Sequence, residues 1–243
     1  KPLAYYENNI GSLVYLLQEM KNRNIDHFIF SSSCTVYGQA DTLPISENAP
    51  IKKAASTYGN TKQIGEEIIA ESCKAYNMNA IALRYFNPIG AHESIKIGEL
   101  PLGIPQNLIP FITQTAAGLR TELSVFGADY DTPDGTAIRD YIHVVDLAKA
   151  HIAALERLLN KKNKTNFEFF NVGTGIGSSV LEVITAFEKA AGKPLNYKIV
   201  DRREGDITAA YADTTTANKE LDWKTEKSLE EALASAWKWQ QQQ

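Results

Sequence analysis

The chain predicts an α/β fold built on a parallel sheet, and three observations carry this. Its first part alternates helix, strand, helix, strand, the order that parallel crossovers require. The strand segments, His27-Phe28-Ile29-Phe30 and Ala80 to Phe86, are short and mostly apolar, as strands covered on both faces are. A hydrophobic fraction of 44% with 22% charged residues over 243 residues is an ordinary globular composition with ample material for a core.

The elements follow in order. From Pro2 to Arg23, Leu3, Tyr6, Ile10, Leu13, Leu17 and Met20 recur at three- and four-residue steps, which predicts a helix; Pro2 suits its first turn. The strand His27 to Phe30 runs into Ser31-Ser32-Ser33. A loop through Pro44 and Pro50 leads to a helix over Thr57 to Tyr76. The strand Ala80 to Phe86 is closed by Asn87-Pro88. From Glu93 to about Asp140, prolines and glycines break the chain into short pieces, among them a helix between Gln106 and Leu119 and a strand at Leu123 to Phe126. An amphipathic helix at Val144 to Leu159 precedes a strand at Phe167 to Val172 and a helix at Val180 to Ala190. Short helices are expected near Thr214 to Leu221 and from Ser228 to Trp239, with Gln240 to Gln243 as a frayed end. No internal repeat is visible. Opening on a helix is unusual, because a doubly wound sheet ordinarily begins with a strand, a glycine-rich turn and a helix.

Charge and composition exclude some functions. Lys and Arg number 25 against 29 Asp and Glu, a net charge of −4 without a basic run, which argues against nucleic acid as a partner. No apolar stretch approaches the roughly 18 residues of a membrane span. KPLAYYENN shows no basic segment followed by an apolar one, so no signal peptide is expected. Cys34 and Cys73 form neither a CxxC nor a disulfide framework; two free thiols fit a reducing, cytoplasmic setting.

Two clusters tempt a functional reading and lose it. Gly173-Thr174-Gly175-Ile176-Gly177 follows a strand and precedes a helix, but the third glycine of a dinucleotide fingerprint falls at Ser178; the plainer reading is a tight turn with Ser178 as N-cap. His143 and Asp146 could share a helical face, but His151 lies eight residues from His143 and no fourth ligand is visible. No metal site is expected there, and Asp146 and His151 read as surface or capping groups.

The strongest local signal is Tyr58-Gly-Asn-Thr-Lys62 at a helix start. Four residues is just over one turn, so both side chains share a face. An ammonium beside a phenol favours the phenolate and lowers its pKa from about 10; a base working near neutrality needs roughly three units, about 4 kcal/mol. A structural pair is the competing reading. Ser31-Ser32-Ser33 and Arg84-Tyr85-Phe86-Asn87-Pro88 lie at the ends of successive predicted strands, where open α/β sheets bind ligands.

SSSCTVYG, STYGNTK, RYFNPIGAH, GIPQNLIP, GTAIRDYIHV and RREGD, in this order, resemble the UDP-glucose 4-epimerase family of the extended short-chain dehydrogenases/reductases. The resemblance covers nearly the whole chain. It implies the second part of a Rossmann-like doubly wound parallel sheet with a smaller mixed α/β substrate-binding domain, divided as 1–88 and 89–243, with segments at about 123–172 returning to the sheet. It implies that UDP-glucose and UDP-galactose are interconverted by NAD-dependent oxidation to a 4-keto sugar, which turns over and is re-reduced on its other face.

In this likeness Tyr58 is the base at the sugar 4-hydroxyl, Lys62 lowers its pKa and holds the nicotinamide ribose, and Ser33 bonds the 4-oxygen. Asn9 and Phe86 match cofactor contacts. Asn87, Asn107, Leu108, Arg139 and Arg203 match positions around the UDP pyrophosphate, Ser124, Val125 and Phe126 the stretch against uracil, and Asp206 the group near the uridine ribose. A homodimer packed through the helices at Pro2 to Arg23 and Thr57 to Tyr76 is implied as well.

Two departures stand out. The family's opening strand and glycine-rich turn, on the order of 90 residues at about 30 per βαβ unit, have no counterpart here. The 243 residues alone are therefore expected to bind NAD poorly and not to turn over. Ala210 stands where some members carry a tyrosine beside the sugar, which leaves room for a 2-N-acetyl group; an epimerase also or mainly acting on UDP-N-acetylglucosamine is the alternative, and a non-catalytic nucleotide-sugar-binding fragment another. Neither Cys34 nor Thr35 is acidic, unlike the matching segment of the related dehydratases and decarboxylases.

Overall fold

Three parallel strands organise the first of two units in the computed structural model, which describes residues 1–203 and 205–243. β1 (His27–Ser31) and β6 (Phe167–Val172) flank β2 (Asn79–Tyr85), with Phe30 opposite Ala82 and Ala82 opposite Phe169. The predicted parallel α/β sheet is thus present. The opening helix is not uniform: α1 (Pro2–Tyr6) passes through a π turn at Glu7–Gly11 into α2 (Ser12–Asn22). Steps of three and four residues accommodate either winding, so the pattern of apolar residues could not show the turn. Leu13, Leu17 and Met20 of α2 pack with Ile69, Cys73, Met78 and Ala80.

α3 (Thr57–Tyr76) keeps its predicted bounds. Ser56 caps it by accepting the Gly59 N–H at 3.0 Å, and Asn77 ends it with a left-handed φ of 55°. The unit comprises Lys1–Phe86, Lys149–Val172 and Ala212–Lys224, which hold most of α5 (Val144–Leu159) and all of α7 (Thr215–Glu220). The returning stretch thus starts later than 123, because β4 (Leu123–Phe126) pairs with β8 (Tyr197–Val200) in the second unit, and 212–224 joins it.

The second unit comprises Asn87–Ala148, Gly173–Tyr211 and Thr225–Gln243. Its central strand β5 (Ile138–His143) runs parallel to β3 (Asn87–Ile89) and β9 (Ala209–Ala210), and antiparallel to β7 (Gly177–Ser179). Helices α4 (Leu108–Ala116), α6 (Val180–Ala191) and α8 (Leu229–Gln240) cover a core that includes Ile112, Val125, Ile184, Phe187 and Leu233.

Several sequence expectations are corrected here. Because β7 extends to Ser179, that residue and not Ser178 caps α6, accepting the Glu182 N–H at 3.1 Å while the Glu182 carboxylate accepts the Ser179 N–H at 2.8 Å. Gln240 is not frayed: it is buried in the last turn of α8 and accepts the Thr113 hydroxyl at 3.2 Å. His143 ends a strand and shares no helical face with Asp146. Asp146 is fully buried and accepts the N–H groups of Glu226 and Lys227 at 3.0 and 2.9 Å, so it is not a surface group. Among the described residues no cluster of three or more His, Cys, Asp or Glu is arranged to hold a metal, and no helix is long and apolar enough to cross a membrane.

His143 gives the fold a pH dependence. Its Nδ1 accepts the Val145 N–H at 3.0 Å, so the proton resides on Nε2, which faces the Ser235 hydroxyl at 3.3 Å. Burial holds its pKa below the ordinary 6.5, against the partial opposition of Asp146. The unfolded chain therefore binds this proton at a higher pH than the folded one. The contribution to stability is complete above about pH 6.5 and is lost as the pH falls from there through the folded value. Melting temperatures should decline below that pH, and His143→Asn should flatten the decline; equal slopes in both proteins would contradict this.

Candidate active site

In the first unit, the carboxyl end of β1 and the first turns of α3 bring three predicted groups together. Ser33 is buried and caps a short 3-10 turn, Cys34–Tyr37, by accepting the Thr35 N–H at 3.3 Å. Tyr58 is the second residue of α3, and its hydroxyl meets that of Ser33. Lys62, one turn on, donates from Nζ to the Ser31 carbonyl at 2.8 Å and stands 5.4 Å from the Tyr58 ring centroid and 5.0 Å from that of Phe30. Asn9, within the π turn, donates to the Thr61 hydroxyl at 3.0 Å, and Thr61 in turn donates to the Tyr58 carbonyl at 2.7 Å. Phe86 is buried at the end of β2.

The close approach of α3 to the serine turn depends on Gly59. A Cβ there would lie 3.1 Å from the Thr35 carbonyl oxygen and 3.3 Å from the Thr35 Cβ. Thr35 and Thr61 are contributions that the sequence reading missed. The Thr35 hydroxyl is buried without a hydrogen-bond partner among the described residues. The signals were available: Thr35 is two residues from Ser33, and Thr61 immediately precedes Lys62.

The electrostatics run opposite to the simple expectation. Burial pushes the Tyr58 phenol up to about 12, with Tyr85 adding to the rise and the Ser33 hydrogen bond opposing it. The Lys62 ammonium, donating to the Ser31 carbonyl and lying against the tyrosine ring, does not bring the phenol back toward neutrality in the chain alone. Burial in turn lowers the pKa of Lys62. The chain alone therefore holds Tyr58 as a neutral phenol.

The second unit gathers a different set. Arg203 forks onto Asp206 at 3.1 and 3.0 Å, and its guanidinium lies 5.0 Å from the Phe126 ring centroid, so two distant stretches of the sequence meet. Arg139 on β5 is half-buried, donates to its neighbour's carbonyl at 2.8 Å, and faces Ala210 across the ladder. Asn107 and Leu108 open α4, with the Asn107 amide donating to Glu99 at 2.8 Å rather than capping the helix. Asn87 pairs with Tyr141 in the β3–β5 ladder. Ser124 is half-buried on β4, whereas Val125 turns its side chain into the core, leaving only its backbone for a ligand.

The glycine cluster is accounted for without a phosphate. Fully buried Asp140 accepts the N–H groups of Thr174 and Gly175 at 2.8 and 3.0 Å and the Thr174 hydroxyl at 2.7 Å. Backbone donors that a dinucleotide turn would aim at pyrophosphate are spent on a carboxylate of the chain itself.

Residues 1–173 match the NAD dependent epimerase/dehydratase family. Over 242 residues the chain is 49% identical to the UDP-glucose 4-epimerase of Drosophila melanogaster, a match that covers 99% of this chain and 69% of that protein. The crystal structure of UDP-glucose 4-epimerase from Bifidobacterium longum in complex with NAD+ and UDP superposes with a TM-score of 0.94 at 49% identity, covering 100% of this chain and 71% of that one. The enzyme of the same name from Stenotrophomonas maltophila, with bound NAD and formylated UDP-arabinopyranose, gives 0.94 at 45% identity over 99% of this chain and 71% of its own.

Proposed function

The chain belongs to the NAD dependent epimerase/dehydratase family, and from that premise we propose that it is an isomerase interconverting UDP-glucose and UDP-galactose through NAD-dependent oxidation and re-reduction at the sugar C4. The observation that carries the reading is the grouping of Ser33, Tyr58 and Lys62 at one sheet end, in a chain about half identical along its whole length to proteins of that activity.

The donor set suits the nicotinamide-ribose end of NAD. Lys62 has three N–H donors, of which the Ser31 carbonyl takes one, and the Tyr58 hydroxyl and Asn9 amide lie on the neighbouring turns. When bound, NAD supplies the acceptor and donor of the C4 hydride. Tyr58 takes the proton from the 4-hydroxyl as the hydride leaves and restores it on the return. Ser33 hydrogen-bonds the same oxygen and fixes its approach. Lys62 holds the ribose hydroxyls and favours the phenolate by its charge. Asn87, Asn107, Leu108, Arg139 and Arg203 anchor the pyrophosphate, since fixed guanidinium groups bind phosphate through charge-assisted, often bidentate bonds. The stretch Ser124 to Phe126 lies against uracil. As the diphosphate takes the Arg203 fork, Asp206 is released to accept the uridine ribose hydroxyls.

The reading includes a homodimer through the opening helix, Pro2 to Arg23, and α3, supported by the exposure of Leu3 (82%), Tyr15 (72%) and Tyr76 (52%). It also includes a reducing, cytoplasmic setting, for which the free thiols of Cys34 and Cys73 speak.

The test is conversion of UDP-galactose, followed by enzymatic oxidation of the UDP-glucose formed. It is run on the chain with NAD, and on the chain joined to the remaining segment of its Drosophila relative, since this chain covers 69% of that protein. Folded, NAD-loaded joined protein that forms no UDP-glucose would overturn the reading.

Ala210 favours a second substrate class. It is 2% exposed on β9, opposite Arg139, and the family likeness puts its small methyl group where some members carry a tyrosine beside the sugar. Ala210→Tyr should abolish turnover of UDP-N-acetylgalactosamine and leave UDP-galactose turnover within about threefold, since a misfit larger than a few methylenes exceeds the 1–3 kcal/mol that small size differences are worth. Equal loss of both activities would refute a steric role.

A further inference from the structure

We infer that the buried Arg84–Glu66 pair is a positioning device: it ties the turn carrying Ser33 to the helix carrying Tyr58 and Lys62, and thereby sets the separation of the two hydroxyls that share the sugar 4-oxygen. The inference rests on the reading above.

Glu66 lies on α3 one turn beyond Lys62. Its carboxylate accepts from Arg84 Nε at 3.0 Å and Nη2 at 2.5 Å, a bidentate fork from β2. The same carboxylate accepts the Ser32 hydroxyl at 2.5 Å. Arg84 Nη1 donates to the Tyr37 hydroxyl at 3.0 Å, and Tyr37 donates to Asn171 Oδ1 at 2.7 Å. The guanidinium is also stacked 3.9 Å from the Phe169 ring centroid. The side chains of Arg84 and Glu66 are only 5% and 9% exposed.

The placement is what matters. Ser32 precedes Ser33, and Tyr37 closes the short turn that Ser33 caps, so the network grips both flanks of the serine. Glu66 belongs to the helix that presents Tyr58 and Lys62. One rigid, planar cation thus joins both halves of the proton-handling site. Burial pushes the Tyr37 phenol up to about 12, with Arg84 opposing, so Tyr37 remains a neutral donor within the network. Stability does not account for the pair: apolar residues of similar volume usually serve a buried site equally well or better. Geometric specificity does, because displacing a reacting group by about 1 Å costs on the order of 100-fold in rate. None of the residues proposed to hold the nucleotide takes part in the network.

Two variants of the active protein test this. Ser32→Ala frees one flank of the serine and leaves the ion pair and the Arg84–Tyr37 bond on the other. Arg84→Met combined with Glu66→Leu removes the pair without stranding a buried charge. Both should fold, with kcat lowered roughly 10- to 100-fold and KM for UDP-galactose within about threefold. Their crystal structures should show Ser33 Oγ displaced from Tyr58 Oη. Folded variants with kcat within about twofold of the parent and an unmoved Ser33 would overturn the inference. If the double variant does not fold, Ser32→Ala decides alone. If the parent protein forms no UDP-glucose, the proposed activity fails, and the Ser33–Tyr58 separation in the variant crystals still decides the positioning role.

Discussion

Tyr58→Phe should lower kcat by roughly 10²- to 10⁴-fold, the range that a positioned general acid–base contributes, while UDP binding changes less than about twofold. The ring is retained, and with it the edge contact to Tyr5 at 6.4 Å and the seat of Lys62 at 5.4 Å. The hydroxyl's partner is Ser33, so removing it costs the fold little. The loss in rate is large because this oxygen would carry the proton in both directions.

The pH dependence sharpens the test. With the phenol pushed up to about 12 in the chain alone, about one molecule in 10⁵ carries phenolate at pH 7. Bringing that value to neutrality takes about 7 kcal/mol of differential stabilisation, more than the 4 kcal/mol that an ordinary tyrosine would need. NAD-loaded protein should therefore titrate Tyr58 far lower than the unloaded chain, by ultraviolet difference absorption of the phenolate. A phenylalanine variant that retains activity within tenfold, or a phenolate signal indifferent to NAD, would assign the proton to another group.

The contrast between what could and could not be read beforehand is physical. α3 was legible to the residue because Ser56 caps it, its apolar residues keep helical spacing, and Asn77 can take the left-handed conformation that ends it. β1, β2 and β6 were legible because strands covered on both faces are predominantly apolar, with Phe28 to Phe30, Ala80 to Leu83 and Phe169–Phe170 as their cores. β5 was not, since Arg139 and Asp140 interrupt its apolar run. Both interruptions have reasons that only the fold reveals: Asp140 binds the glycine loop internally, and Arg139 faces the β9 strand. Segments of two or three residues, such as β9 and β7, leave no period to detect. At the site, the Tyr58–Lys62 spacing was plain, but the sign of the tyrosine's shift was not. Spacing shows which side chains share a face. It does not show how deeply they are buried, or that the Ser31 carbonyl, 31 residues earlier on β1, claims the ammonium. The set of Arg203, Asp206 and Phe126 in the second unit was named by resemblance, and its assembly needed β4 and β8 to pair in parallel.

Lys62→Met carries the second large effect, and its pH profile separates two roles that a simple loss of rate would confuse. Methionine keeps a flexible apolar stem against Phe30, whose ring centroid is 5.0 Å from the ammonium, and deletes the charge. A unit charge at the observed 5.4 Å from the Tyr58 ring, with an effective dielectric of about 20, is worth roughly 3 kcal/mol, or about two pKa units. Burial lowers the ammonium's own pKa; it contributes to the extent that it stays protonated. Removing a cation disfavours phenolate, so the base titrates at higher pH and the rising limb of kcat moves up by about two units. Near neutrality kcat should fall about 100-fold, and much of the loss should be recovered as the pH is raised. If Lys62 serves only to hold the ribose, the profile instead drops at every pH without moving, and the NAD dissociation constant rises to match. A displaced profile therefore assigns the charge to the chemistry, and a parallel one assigns it to binding alone.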